Sequence, residues 1–593
     1  DSGTALIVDF ARNRPHDLFY YEEPLEMMKG EVLTPGCFLS AKDILQRHFL
    51  AYCIDCWTGE NPIDNRIPPQ IRFMGMGADF ITKDDFFLNR LFKYINDHLD
   101  VLESNFASQY DDKVKQNAIE PLYKTLGAKG SFEQHIRLSF QRLQQKLDDI
   151  RDKVHYIRDY IREQKIALSD PLYAELDGQR RSLCNQRSKI MKQQVLEFMT
   201  DEGLLPNYAF PEKGVTFEGS VRYQRKGALG GSNGKFYSEN IELVRPASSA
   251  LKELAPGNYY YTGKYRMLID GVDTYDWNLQ DSSLVRKRFC SKCDYIEDET
   301  SGHALVCPKC GDPSFGSDSN VHDFVKMTTT KSDMLRGKAL DGDASDDRES
   351  KSYRISSHFI FDAPGTTVSY GLKNIPFGIE FVKNVKLLEA NLGIADQHSS
   401  STININNMQR VPKAGFVTCR YCGKVVPKPE MVANMKDQSK AIKEWHYPYC
   451  KHKNVVYGTK ESSDVFKEVY FYRELQTEAI KVLLPVQEID TEATAAMFKA
   501  GLELGLKDYF KGNPSHIRMK DYQEYNSSTG KMDQYIVMYD TIPGGTGYLA
   551  KLFNPEEFTK VLRSAYDRIR ECKCQYEGKD GCYHCILNYG NQY

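Results

Sequence analysis

The most regular pattern of apolar and polar positions lies between residues 131 and 201. Leu143, Leu147, Ile150, Val154, Ile157 and Ile161 recur at alternating steps of four and three, which places one apolar stripe along a helix. The pattern breaks at "ALSDPLY", where Pro171 stops one helix and opens the next. A second, more polar helix over "AELDGQRRSLCNQRSKIMKQQVLEFM" completes a long antiparallel hairpin, expected to project from the body. Upstream, "AKDILQRHFLAYCIDCW" sets Ile44, Leu45, His48, Phe49, Ala51 and Ile54 at near-helical spacing. Cys53 and Cys56 then stand one turn apart and read as small core residues, because no second cysteine pair stands nearby. Before that helix, "TALIVDF" reads as an apolar strand.

Past "GLLPNYAF" the texture changes to short strand-like runs broken by Gly and Pro, clearest in "GVTFEGSVRYQRKG" and "GNYYYTGKYRMLIDGV". "ALDGDASDDRES" reads as a flexible acidic loop. From about residue 460, strands over "VYFYREL" and "IKVLLPV" precede a helix over "ATAAMFKAGLELGLKDYF". The strand "QYIVMYD", a glycine loop and a closing helix follow. No repeat of fixed period is present. The expected fold class is α+β and multidomain, with a helical hairpin, β-rich modules, zinc ribbons and a C-terminal α/β zinc-binding domain. The expected segments are a mixed helical domain over 1–130, the hairpin over 131–205 and a β-rich module over 206–285. A zinc ribbon over 286–325, a β-rich module with the acidic loop over 326–415 and a second ribbon over 416–455 follow. The zinc-binding domain closes the chain over 456–593.

Length and charge narrow the classes. A chain of 593 residues is too long for one core and fits roughly three to five domains. A net charge of -3 supplies no global basic field, so nucleic-acid contact requires local patches. No apolar run is long enough to suggest a membrane span, and no signal peptide is visible. The opening "DSGTALIVDF" lacks Met, which suggests a fragment of something longer.

Of fifteen cysteines, Cys37, Cys53, Cys56 and Cys184 are scattered; the others fall into short motifs that suit metal knuckles in a reducing compartment, the cytoplasm. Cys290, Cys293, Cys307 and Cys310 form two CxxC units, with Pro308 and Gly311 supplying turn chemistry to the second. Four thiolates around Zn²⁺ leave no open position, so the site is structural. A second site starts at Cys419 and Cys422 and closes in "WHYPYCKHK" on Cys450, with either His446 or His452 as the fourth ligand. The third set is Cys572, Cys574, Cys582 and Cys585, with Gly578 and Gly581 freeing the connecting loop. His584 stands between two of these ligands and is expected to face outward. Up to three structural zinc ions are therefore expected.

"PGGTG" follows a strand and opens a helix, the context in which backbone N–H groups bind phosphate. It lacks the Lys-Ser or Lys-Thr of a P-loop, and "GGSNGKF" carries Phe236 where the Mg²⁺-binding hydroxyl belongs. Two readings of the loop remain. Either Gly544, Gly545 and Gly547 grip a DNA phosphate, or they form a tight turn requiring positive φ. Arg180, Arg181, Arg187, Lys189 and Lys192 on the second hairpin helix either touch DNA phosphates or form a solvated face. Tyr259, Tyr260, Tyr261, Lys264 and Arg266 either stack on a single strand or pack in a strand. No catalytic residue set emerges; Asp540 and Glu478 are isolated carboxylates without nuclease spacing, and a DNA nuclease built on them stands as a third reading.

The "YDTIPGGTGYL" loop, followed by CxC and "GCYHC", resembles the MrfA-like zinc-binding domain at the C-terminus of a group of superfamily 2 helicases. "TEAIKVLLP", "GLLPNYAFP" and "LKELAPGNYYYTGKYR" extend the resemblance upstream, and "TALIVDFARNRPHDLFYYEEPLEMM" resembles the segment after the arginine motif that ends the second motor domain. Long helicases of this type are similar to those of bacterial phage-defence systems, Druantia above all, with DISARM as a relative. The resemblance implies an ATP-dependent DNA helicase or translocase whose C-terminal region shapes the DNA path. It implies DNA, single-stranded, as a partner, and a defence-system protein as a further one. Yet this sequence contains no Walker A lysine, DExH box or QxxGRxGR motif. ATP and Mg²⁺ therefore enter only through a motor in the same or another chain, and these residues alone are expected to lack ATPase activity. The competing reading is a zinc-ribbon scaffold that binds a separate helicase or other protein, with the hairpin as its docking arm.

Overall fold

The computed structural model describes residues 8, 10–25, 42–75, 80–115, 132–207, 214–224, 236–277, 282–290, 292–293, 295–299, 304–340, 351–361, 368–394, 403–405, 408–410, 415–426, 445–455, 457, 461–485, 492–511, 514, 516–526, 530–579 and 581–587. Cys37, the acidic stretch after Leu340, nearly all of "GGSNGKF" and most of "TALIVDF" lie outside them. The chain forms two compact units, neither contiguous in sequence. The larger takes Leu39–Ile360 and Leu387–Leu475; the smaller takes Asp1–Phe38, Phe361–Lys386 and Gln476–Tyr593.

In the larger unit, helices Lys42–Glu60, Phe87–Asp97 and Leu99–Ala107 share a core with Phe140 and Phe198. Phe49, Leu50 and Trp57 are buried in it. Cys53 is fully buried there, and burial pushes its thiol pKa up, as suits an inert core residue. The hairpin forms as the apolar stripe predicts, from Phe132–Glu163 and Pro171–Lys192. Asp170 caps the second helix by accepting the Leu172 N–H at 2.8 Å.

The hairpin does not project as a free arm. It lies on a four-stranded sheet ordered Phe236–Arg245, Val215–Gln224, Thr329–Leu335, Gly271–Val272. Lys146 pairs with Glu218 at 2.8 Å, Ser182 meets Ser220 at 2.8 Å, and Asn185 donates to Ser238 at 3.2 Å. The reason lies in the strand's period of two: Glu218, Ser220 and Arg222 point to the helices, while Val215, Phe217 and Val221 point to the opposite core. On that opposite side, the hairpin Tyr259–Thr262/Tyr265–Leu268 packs Tyr260, Tyr265 and Met267 inward. Gly219 permits this approach, because a Cβ there would stand 2.8 Å from the Met267 Cε.

"VYFYREL" and "IKVLLPV" are one strand, Phe466–Leu483, rather than two. Nothing between them breaks a strand, and burial on both faces sustains it. Up to Leu475 it belongs to the larger unit, where Val469–Tyr472 pair in parallel with Asp323–Lys326. In the smaller unit, Ala479–Leu483 pair antiparallel with Tyr535–Tyr539, which also pair with Arg518–Tyr522. Helices Glu492–Tyr509 and Pro555–Arg570 pack over this sheet around Leu502, Leu506, Phe558 and Val561. A Cβ on Gly505 would stand 2.3 Å from the Val561 carbonyl oxygen, so the helices meet backbone to backbone. Among the described residues no helix is long and apolar enough to cross a membrane.

Candidate metal centres and the glycine loop

Four ligands about 2.3 Å from one Zn²⁺ at tetrahedral angles stand about 3.8 Å from one another. The structure builds three clusters on that scale. Cys290 and Cys310 sulfurs lie 3.5 Å apart, and those of Cys293 and Cys307 3.6 Å. Within each of three four-residue groups, all ligand atoms fall within 4.8 Å of one another. These separations far exceed an S–S bond of about 2.05 Å, so the cysteines are free thiols rather than disulfides. Sharing hydrogen bonds, the crowded thiols titrate apart. Those from Cys290 and Cys293 hold Cys307 down to about 4, while the same network raises Cys293.

The first cluster is braced by Arg288, which is fully buried. Its guanidinium binds both Glu299 carboxylate oxygens at 2.8 Å and the carbonyls of Phe315 and Ser317. The bidentate pair and the two carbonyls fix the turn that follows the second knuckle. In the sequence Arg288 is one of three consecutive cations in "LVRKRF", with no local pattern that marks it as interior.

In the second cluster Cys419, Cys422, His446 and Cys450 converge, all buried. Cys419 and Cys450 sulfurs are 3.9 Å apart, and the His446 Nδ1 lies 3.8 Å from the Cys422 sulfur. The His446 Nε2 lies 3.0 Å from the Val455 carbonyl, which only accepts, so the proton sits on Nε2 and Nδ1 is left as a ligand. His452, the other candidate, stands outside the cluster. Its ring stacks on Tyr421, with centroids 4.0 Å apart. The Cys419–Cys422 knuckle is stitched to the Gly271–Val272 strand by Val272 N–H to Gly423 O at 2.9 Å and Val425 N–H to Asp270 O at 2.8 Å. Gly423 is required there: its φ is +77°, and a Cβ would sit 1.9 Å from the Val272 oxygen.

The third cluster closes tightly, with sulfur separations of 3.3 Å for Cys572–Cys574, 3.4 Å for Cys572–Cys582 and 3.6 Å for Cys574–Cys585. His584 is not a ligand and is exposed, as expected. Its ring meets Phe19 edge-on at 4.9 Å, and Tyr583 stands 5.3 Å from the same phenylalanine, so the helix Pro15–Glu22 rests on this knuckle. Donor type, spacing and burial in all three clusters fit zinc.

The glycine loop grips an acidic group, but one belonging to the chain. Gly544 N–H donates to the Gln476 carbonyl at 2.9 Å and Gly545 N–H to the Ile542 carbonyl at 2.9 Å. Gly547 N–H donates to Glu478 Oε1 at 3.0 Å, and Leu549 N–H reaches the same oxygen at 3.3 Å. Asp540 accepts the Ile542 and Thr546 N–H groups at 2.8 Å each. Glu478 thus occupies the N-terminus of helix Tyr548–Leu552, where an external phosphate would have to sit. The phosphate grip expected of Gly544, Gly545 and Gly547 is corrected accordingly: all three N–H groups are used internally, beside two buried carboxylates. Burial and the neighbouring Asp540 raise Glu478 to about 7. The tight-turn reading holds, since all three glycines have φ near +80°. Glu478 and Asp540 stand far apart in sequence and meet only in this loop; the signal for Glu478 is a charged residue inside the buried run "QTEAIKVLL".

Among the basic residues offered for DNA, Arg180 and Arg181 both bind Asp177, at 2.6 and 2.7 Å, and Lys189 pairs with Glu242. Arg187 and Lys192 carry no ion pair among the described residues. Tyr260 is buried against Phe217, whereas Tyr259, Tyr261, Lys264 and Arg266 stay on the outer side of their hairpin.

Residues 498–586 match the MrfA Zn-binding domain. The chain is 20% identical to the Druantia protein DruE of Escherichia coli, over all of this chain and 31% of that protein. It therefore spans about a third of the curated relative. Against the crystal structure of the DUF1998 helicase MrfA bound to DNA, it is 10% identical with a TM-score of 0.30, covering 70% of this chain and 40% of that one.

Proposed function

We propose that this chain, which carries a match to the MrfA Zn-binding domain, is the zinc-bearing accessory region of an ATP-dependent superfamily 2 DNA helicase or translocase of a bacterial anti-phage system. The observation that carries this reading is the domain match, which takes in the packed helix pair, the glycine loop and the third cysteine cluster together. Similarity along the whole of this chain to about a third of a Druantia protein supports the defence setting. Three closed clusters would each hold a structural zinc, through Cys290, Cys293, Cys307 and Cys310; through Cys419, Cys422, His446 and Cys450; and through Cys572, Cys574, Cys582 and Cys585. Zinc would fix loops too short to hold a core of their own. With every ligand position filled, none of these sites performs chemistry.

The work of ATP hydrolysis belongs to motor residues outside this sequence, because the phosphate-binding lysine and Mg²⁺ ligands are absent from it. The region guides single-stranded DNA in the cytoplasm, where a reducing environment keeps the thiols available. Carboxylates committed to the glycine loop leave no nuclease centre in Glu478 and Asp540. Two assays on the purified 593 residues test the reading. Labelled single-stranded DNA binds with an affinity that falls steeply with salt, and no ATP is turned over. ATP turnover, or absence of DNA binding at low salt, would overturn it.

A further inference from the structure

Resting on that role in handling DNA, we infer that a ledge of tyrosines and cations on the larger unit is where a single strand of nucleic acid stacks. The sheet face carrying Phe217 and Val221 is covered by the Tyr259–Leu268 hairpin only as far as Tyr265, whose hydroxyl donates to Glu239 at 2.6 Å. Two residues farther along the same face, Tyr223 and Tyr237 are register partners. Their rings stack with centroids 5.9 Å apart at 22°, and Tyr237 is 42% exposed. Arg336 lies over the Tyr223 ring at 5.2 Å, held there because its segment follows the neighbouring parallel strand.

The outer side of the hairpin repeats the arrangement. Arg266 lies 3.9 Å over Tyr259 and stands opposite Tyr261 in register. Lys264 caps the exposed turn, 5.0 Å from the Tyr265 ring. Arg336 and Arg266 thus lie over tyrosine rings and Lys264 stands at the hairpin turn, while Glu239, on the sheet side, already accepts from Tyr265.

Charge and ring geometry select the partner. The exposed Tyr237 ring, backed by Tyr223, offers stacking to any base, and the neighbouring cations offer contacts to a backbone with a charge at every nucleotide. Two residues along a strand advance about 7 Å, comparable to one nucleotide of extended chain. A protein partner would want an apolar pocket, and this surface has rings with cations stacked over them instead. An acidic peptide is the alternative that the assay must separate. The ledge reads no sequence, since its groups address faces and phosphates and not base edges.

The test uses the whole chain and a short fluorescein-labelled oligo-dT, read by anisotropy across a salt series. The Tyr223→Ala/Tyr237→Ala pair weakens binding about fivefold or more. Lys264→Glu, at an exposed turn and without folding cost, weakens binding and lowers the salt slope by about one. Arg187→Ala/Lys192→Ala on the helical hairpin leaves affinity unchanged. Circular dichroism of each variant confirms the fold. If the wild type binds and the ledge variants bind as tightly, or if the variants lose binding of labelled poly-Glu while their DNA affinity is unchanged, the ledge assignment is overturned and the DNA role stands. If the wild type binds no single strand, both fall together.

Discussion

Replacing Glu478 by glutamine makes the stability of the smaller unit less dependent on pH. In the native state Glu478 is 2% exposed and accepts the Gly547 and Leu549 N–H groups, while Asp540 stands close enough to repel its charge. Burial, the larger effect, and Asp540 lift its carboxyl from the ordinary 4.5 to about 7. Between those values the folded state holds a proton that the unfolded state has released, so stability is greatest below 4.5 and declines as pH rises through 7. At 1.36 kcal/mol per pH unit the decline is about 3 kcal/mol. Glutamine keeps a carbonyl oxygen for the same N–H donors but cannot ionise. Urea melts at about pH 5 and about pH 8 check the reasoning. Glu478→Gln matches the wild type within about 1 kcal/mol at the lower pH and exceeds it by about 2 kcal/mol at the higher. Equal destabilisation at both pH values would refute the account, because it would mean the carboxylate's charge is what holds the loop.

Gly545→Ala places a Cβ 2.5 Å from the Glu478 Cγ at φ +83°, and unfolds the loop at a cost of about 3 kcal/mol or more, read from the same melts. Metal analysis of the purified chain finds three zinc ions, one for each cluster. His446→Ala removes one of them, whereas His452→Ala removes none, since His452 only stacks on Tyr421. Arg288→Ala removes the bidentate partner of Glu299 and the donors to two carbonyls, lowering stability by about 3–5 kcal/mol in chemical denaturation.

The sequence by itself determined what is local. Cys290 and Cys293, like Cys307 and Cys310, are ligand pairs because two residues of tight turn suffice to bring their thiols together. The stripe Leu143 to Ile157 was readable as a helix for the same reason: its period is a property of one segment. Tertiary structure decided what depends on partners far along the chain. His446 rather than His452 joins the second cluster because the Val455 carbonyl orients its ring while Tyr421 draws the other aside. The helical hairpin lies on a sheet because Lys146 finds Glu218 and Ser182 finds Ser220. Most of all, the glycine loop holds an acidic group where its pattern suggested a phosphate, and that group is the Glu478 carboxyl, supplied from a strand 69 residues earlier than Gly547. Loop geometry is written in the glycines themselves; which charge fills the loop follows from strand pairing, which no short stretch of sequence displays.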